Sequence, residues 1–240
     1  MNAVWHLCRR DLVAAFASPL AWLVLAAWGF LTGMMLALTV WSVVGRTADS
    51  PLYVGVLSTG FTLLIVLAPA LSMSAFAGER QQGTMALLMT VPVGDGALVA
   101  GKALAVFLVM VSLIAALIPH LIAVALVSGL APGQLVAGLL GLVLAAAAAA
   151  SLGTWISLLV EAPVTAYVLT FGVIVVLVLV GALPPDGVFG PLAQGLGLGP
   201  RIAPFLAGRI ELGCVAYFLA LTAGGLVLAR SVLTARRLEG

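Results

Sequence analysis

The chain has 240 residues, of which 64% are hydrophobic and only 8% charged, with a formal net charge of +2. A soluble domain carries about a quarter charged residues, so a soluble globular protein is excluded, and ten lysines and arginines scattered along the chain give no clustered basic face for nucleic acid. What remains is an integral membrane protein.

The first element expected is an interfacial helix over residues 3–18. Val4, Leu7, Leu12, Ala15 and Phe16 fall broadly on one side and Arg9 and Arg10 on the other, with Trp5 and His6 at headgroup depth. Arg9 and Arg10 followed by Ala15-Phe16-Ala17 imitate an export signal. Too few residues separate them for an apolar core, and Asp11 opens that interval, so no cleavage is expected. Residues 20–44 are long enough to cross about 30 Å of hydrocarbon at about 1.5 Å per residue, and Gly29 and Gly33 form a GxxxG pair suited to close helix approach. A polar turn over 45–51 leads into a second span, 52–77, with a kink expected at Pro69.

Residues 78–102 form the main polar interruption of the first half, with Glu79, Arg80, Asp95 and Lys102. Met85, Leu88 and Met89 share one face of a short amphipathic helix, Thr84 suits its N-cap and Pro92 its stop. A third span follows at 103–127 and a charge-free turn at 129–133. The fourth, 134–160, carries six alanines at 145–150, then Ser151 and Gly153, a surface for backbone-close packing against another helix or a second subunit. After the Glu161-Ala162-Pro163 turn comes a fifth span, 164–183. Residues 184–209, rich in proline and glycine, are expected to form short interfacial or re-entrant pieces. Residues 210–229 make the sixth span. The fold class is therefore an all-α integral membrane protein, a single transmembrane domain of six helices with an N-terminal interfacial helix.

Six crossings put both termini and residues 78–102 on one side. That side holds Arg9, Arg10, Arg80, Lys102, Arg230, Arg236 and Arg237, against Arg46, Arg201 and Arg209 on the other, so the positive-inside rule predicts cytoplasmic termini. Cys8 and Cys214 then lie on opposite sides, which argues against a disulfide and leaves the redox compartment open.

The order Glu79-Arg80, two residues, Gly83-Thr84, Leu87-Leu88, Pro92, then Gly101-Lys102 entering a span resembles the signature of ABC-2 type transporter permeases. The opening His6-Leu-Cys-Arg-Arg-Asp-Leu12, the Ser18-Pro19 start and the closing Ala235-Arg236-Arg237 resemble the gliding-motility-type (GldF-like) branch. The resemblance implies a multi-pass permease of the bacterial inner membrane, working in export. It further implies a second permease subunit, identical or paralogous, and a cytoplasmic ABC ATPase dimer that holds ATP and Mg. A companion membrane protein with an extracytoplasmic domain often accompanies this branch.

Under this resemblance Glu79, Arg80, Gly83, Thr84, Leu87, Leu88, Pro92 and Lys102 form a coupling element seated in a groove of the ATPase; the bland alternative is solvated helix-end charges. Lys102 is expected to snorkel to headgroups or to meet an acid of the partner. Glu161 is a second ATPase contact or a solvated turn residue, and relatives tend to carry a basic-polar pair there. His120 is expected to hydrogen-bond a neighbouring carbonyl, or to lie on a substrate path. Arg209 and Glu211 read as interfacial anchors or a surface pair. Gly96 to Lys102 matches GxxxxGK, but Ala103 replaces the magnesium-binding hydroxyl and no strand precedes it. No catalytic constellation or metal-ligand spacing occurs, so no catalysis and no cofactor is expected in this chain. Two rival readings stay open. One is a non-transporting anchor or mechanical transmitter of an ATPase complex; the other is a self-sufficient carrier, for which the spans lack intramembrane charge or an internal repeat.

Overall fold

The computed structural model describes residues 2–43, 52–85, 93–128, 132–184 and 190–239, and these are helical with short connections and no strand. Helix α1 (Asn2–Ala17) precedes α2 (Pro19–Val43), α3 (Leu52–Ser72) and the short α4 (Ala77–Gln81). Then come α5 (Asp95–Ala115), α6 (Ile118–Ser128), α7 (Pro132–Leu159) and α8 (Pro163–Gly181). Two short helices, α9 (Gly190–Leu196) and α10 (Leu198–Leu206), lead to α11 (Leu212–Glu239). Six stretches are long and apolar enough to cross a membrane. The backbone reason is that a helix satisfies its own N–H and C=O groups where lipid offers no partner.

Proline places the breaks. Pro119 has no N–H to give the carbonyl of Ala115, so α5 ends there. Its last turn closes through Ala116 N–H to Ser112 O (3.1 Å) and Leu117 N–H to Ile114 O (3.0 Å), and α6 resumes with Leu121 N–H to Leu117 O (3.0 Å). Pro69 by contrast stays inside α3, and the predicted second span splits three residues later, at 73–76, before α4. The third span starts at Asp95, about two turns before the predicted residue 103. The GxxxxGK look-alike is therefore helix and forms no phosphate-cradling loop.

Helix α7 is the central post: half of its most apolar window is buried, the largest share among the six spans. It packs most extensively on α11 and also touches α3, α5, α8 and α10. Its alanines bury little area each, so the gain lies in close backbone approach. A Cβ on Gly225 of α11 would sit 2.8 Å from Ser151 Oγ, and one on Gly153 would collide with Ser72 of α3. The small-residue run is thus used within the chain. The main core gathers Trp28, Leu57, Met110, Leu142, Phe205 and Phe218. A second cluster, Phe76, Met85, Leu98, Leu158 and Leu233, closes the end of the bundle that carries both termini.

At the opposite end, Arg201 and Tyr217 cap α9, whose last carbonyls lack helical partners. Tyr217 Oη donates to Leu196 O (2.6 Å), Arg201 Nη2 reaches Gly195 O (3.5 Å), and the guanidinium lies 5.4 Å from the Tyr217 ring centroid. Among the described residues Arg209 and Glu211 form no ion pair; Glu211 instead stands just before α11, its carbonyl accepting from Cys214 and Val215 N–H.

Candidate functional site

The charges of the first half gather at the termini-bearing end around Lys102. Because α5 begins at Asp95, Lys102 stands two turns inside it, and its side chain is only 4% exposed. Its partners within the chain are internal. Its Nζ donates to Glu79 Oε1 (2.7 Å) and to Asp11 Oδ2 (3.3 Å), and lies 5.2 Å from the centroid of the buried Phe76 ring. Arg10 completes the cluster, donating to Asp11 Oδ1 (2.8 Å) and Glu79 Oε1 (3.1 Å). A buried ammonium is tolerable only when so paired. Two cations and two carboxylates cancel, and the cluster ties α1, α4 and α5 together.

Burial pulls the Arg10 guanidinium down, but the hydrogen bonds and charges of Asp11 and Glu79 outweigh it and hold its proton more tightly than usual. One turn away, burial pushes the Cys8 thiol up, and the Asp11 charge adds to that.

The other side of α4 is bolted to the end of α7. Ser157 Oγ accepts from the N–H groups of Phe76 (3.0 Å) and Ala77 (2.9 Å) and donates to Met73 O (2.9 Å), so one hydroxyl satisfies the turn between α3 and α4. Arg80 Nη1 donates to Val160 O (3.3 Å) and Arg236 Nη2 to Leu159 O (3.4 Å). Both guanidiniums thereby cap orphan carbonyls at the negative end of the α7 dipole.

Gly83 closes α4. Its φ of +71° is left-handed, and its N–H bonds Arg80 O (2.9 Å) while Thr84 N–H bonds Glu79 O (2.9 Å). This is a Schellman stop, which favours glycine because that residue has no Cβ to clash. Gly208 ends α10 in the same way, at φ +79°. The Thr84 hydroxyl turns back to Glu79 O (3.1 Å). The N-cap expected of Thr84 would serve residues 86 and 87, which lie outside the described residues, as do Leu87, Leu88 and Pro92 with the amphipathic helix expected there.

Where the chain returns, Asp95 in the first turn of α5 is held by Arg237 (2.8 Å) and the Thr234 hydroxyl (3.0 Å) of α11. Both ends of the 86–92 segment are thus fastened to the bundle. Beside its start, Arg80, Gly83, Met85, Glu161 and Arg236 line a concavity of about 640 Å³. The exposed Glu161 turn therefore stands next to α4.

His120 lies elsewhere, on α6, with Nε2 3.0 Å from the position of a Cβ on Gly33 of α2. Its Nδ1 is buried and makes no hydrogen bond among the described residues, so the expected carbonyl bond is not seen from that nitrogen. Gly33 makes room for the imidazole, while a Cβ on Gly29 would meet nothing within 4 Å. No group of three or more metal-ligating side chains occurs among the described residues.

Sequence reasoning missed the pairing of Arg10 and Asp11 with Glu79 and Lys102, the Ser157 bolt, and the Asp95–Arg237 clamp. The available signal was scarcity: in so apolar a chain, charges of opposite sign near span ends are pressed to find each other.

Residues 29–206, about three quarters of the chain, match the family described as ABC-2 family transporter protein, and the chain belongs to that family. No curated protein matches it. A chain of this family with six helices long and apolar enough to cross is a multi-pass membrane permease of an ABC transporter, a membrane transport component. Helix α1, the start of α2 and all of α11 lie outside the matched region.

Proposed function

We propose that residues 79–102 are the seat of an ABC ATPase dimer on the cytoplasmic face of the bacterial inner membrane, and that ATP and Mg are bound by that partner. The observation that carries this reading is the fastening of both flanks: Glu79 and Arg80 on one side, and Asp95 and Lys102 on the other, are tied to α1, α5, α7 and α11. A segment mounted so stiffly transmits a push to the spans instead of absorbing it. Leu87 and Leu88 supply the apolar contact, and Glu161, across the concavity from Gly83, is a second contact.

The inward pairing divides the signature by role. Glu79 and Lys102 set the mount, Gly83 and Thr84 turn the chain out of it, and Leu87, Leu88 and Pro92 form the part that meets the ATPase. A second permease subunit, identical or paralogous, completes the path. Export is the direction proposed, with the gliding-motility-type branch as the functional type and a companion extracytoplasmic subunit as a further partner. His120, in the membrane with Nδ1 unpartnered among the described residues, is a candidate for the substrate path.

The test is affinity purification through a C-terminal tag from the native membrane. Leu87→Asp with Leu88→Asp is expected to lower ATPase recovery by about tenfold, as loss of a central apolar contact does, with the permease still monodisperse. Undiminished ATPase recovery, or recovery of the unsubstituted permease with no ATPase, overturns the assignment.

A further inference from the structure

We propose that the cleft between α1, α4 and α5 binds the headgroup of a zwitterionic, amine-bearing phospholipid of the phosphatidylethanolamine type. The cleft has a volume of about 330 Å³; Asp11, Glu79, Gln82 and Lys102 line its polar part, and residues such as Ala14 and Val109 its apolar part. At roughly 30 Å³ per water it has space for about ten, enough for a phosphoethanolamine headgroup while the acyl chains stay in the bilayer.

Charge selects this ligand class. Glu79 spends only Oε1 on its two cations, so Oε2 is free among the described residues to accept from an ammonium group. Lys102 is already paired twice, and the cluster as a whole is neutral, so it offers no excess of positive charge to a purely anionic headgroup. Arg10, the cluster's other cation, has a side chain 53% exposed and no bond from Nη1 among the described residues, so it can meet the phosphate of the same lipid. Position agrees with chemistry. The cleft lies under a helix with arginines on one side and an apolar face on the other, at the end of the bundle where α5 enters its crossing, which is headgroup depth for an in-plane helix. The proposal needs only a membrane-embedded chain and stands whether or not an ATPase docks nearby.

The experiment uses the full chain reconstituted in nanodiscs of equal phosphatidylethanolamine and phosphatidylglycerol, then released for native mass spectrometry to count retained lipids. The expected result is retention of phosphatidylethanolamine over phosphatidylglycerol by about tenfold, the worth of one charge-assisted hydrogen bond. Ala14→Phe fills the cleft from an exposed position and should abolish the retention. Glu79→Gln keeps the shape, removes the carboxylate charge and should erase the preference between the two lipids. Equal retention of both lipids by the unsubstituted chain overturns the proposal, as does a folded Ala14→Phe variant that keeps its phosphatidylethanolamine.

Discussion

Lys102 holds two carboxylates that are themselves about one-fifth exposed. Breaking a fully buried pair costs about 3–5 kcal/mol; water reaching Asp11 and Glu79 lowers the cost here, and Lys102→Met is expected to destabilise by about 2 kcal/mol. Glu79→Gln in the same chain removes one of the stranded charges, so the double variant should be more stable than the sum of the single losses by about 1 kcal/mol. Thermal unfolding of the four proteins in one detergent measures this coupling, and strict additivity would show that the cluster is not a unit. At Gly83, an alanine must adopt φ +71°, a cost of about 1–2 kcal/mol, visible as a lower Tm with no change in the Lys102 cluster. Cys8 gives a pH-dependent readout. Its thiol is buried and shifted upward, so less thiolate exists at a given pH than in an unshifted thiol. Alkylation in intact membranes at neutral pH should run at least about tenfold slower than for a free thiol and rise with pH beyond the usual range. Residue identities were legible at this scale, because charges are rare and Gly83 and Lys102 stand in a recognisable order. Pairings were not, since nothing in the spacing of residues 11, 79 and 102 says that three separate helices meet.

The elements with the plainest signal in sequence were the six crossings, whose length and apolarity suffice wherever neighbours lie. Their ends were less plain. Helix α5 reaches back to Asp95 because Arg237 and Thr234 of a distant helix hold that carboxylate, and the second crossing divides at 73–76 because Ser157 supplies partners for the turn. Both are tertiary contacts that a local pattern does not contain. The Pro119 break was local but lay inside an otherwise uniform apolar run. Helix α7 gives the element-scale prediction. Ser157→Ala leaves two buried N–H groups without their acceptor, at about 1–3 kcal/mol each if nothing replaces it. Because the loss falls at the joint between α3 and α4, it should loosen α4 before the whole bundle melts. Hydrogen exchange should show faster amide exchange at residues 76–81 while the α7–α11 contact stays protected; uniform loss across the bundle would mean the serine is a general core contact and not a joint.

For the whole molecule, the asymmetry of charge between its two ends decides what the termini-bearing face can do. Seven of the ten lysines and arginines lie on the termini-bearing side in the six-span reading, and the opposite side has Arg46, Arg201 and Arg209. At the termini-bearing end much of that charge is engaged, in the Lys102 cluster and in the clamps made by Arg80, Arg236 and Arg237. Inverting the molecule would carry these cations across the membrane against the retention that sets orientation, and would also place residues 79–102 where no ATP is available. Orientation and coupling therefore stand or fall together. The native thiols make the test clean, because Cys8 and Cys214 are both buried and label slowly. A single added cysteine at Glu239, in intact cells, should react with a maleimide only when the reagent crosses membranes, whereas one at Asp49 should react with an impermeant reagent. If the accessibilities are reversed, the charged end faces outward, the ATPase seat is lost with it, and the concavity beside Glu161 must serve an extracytoplasmic partner instead.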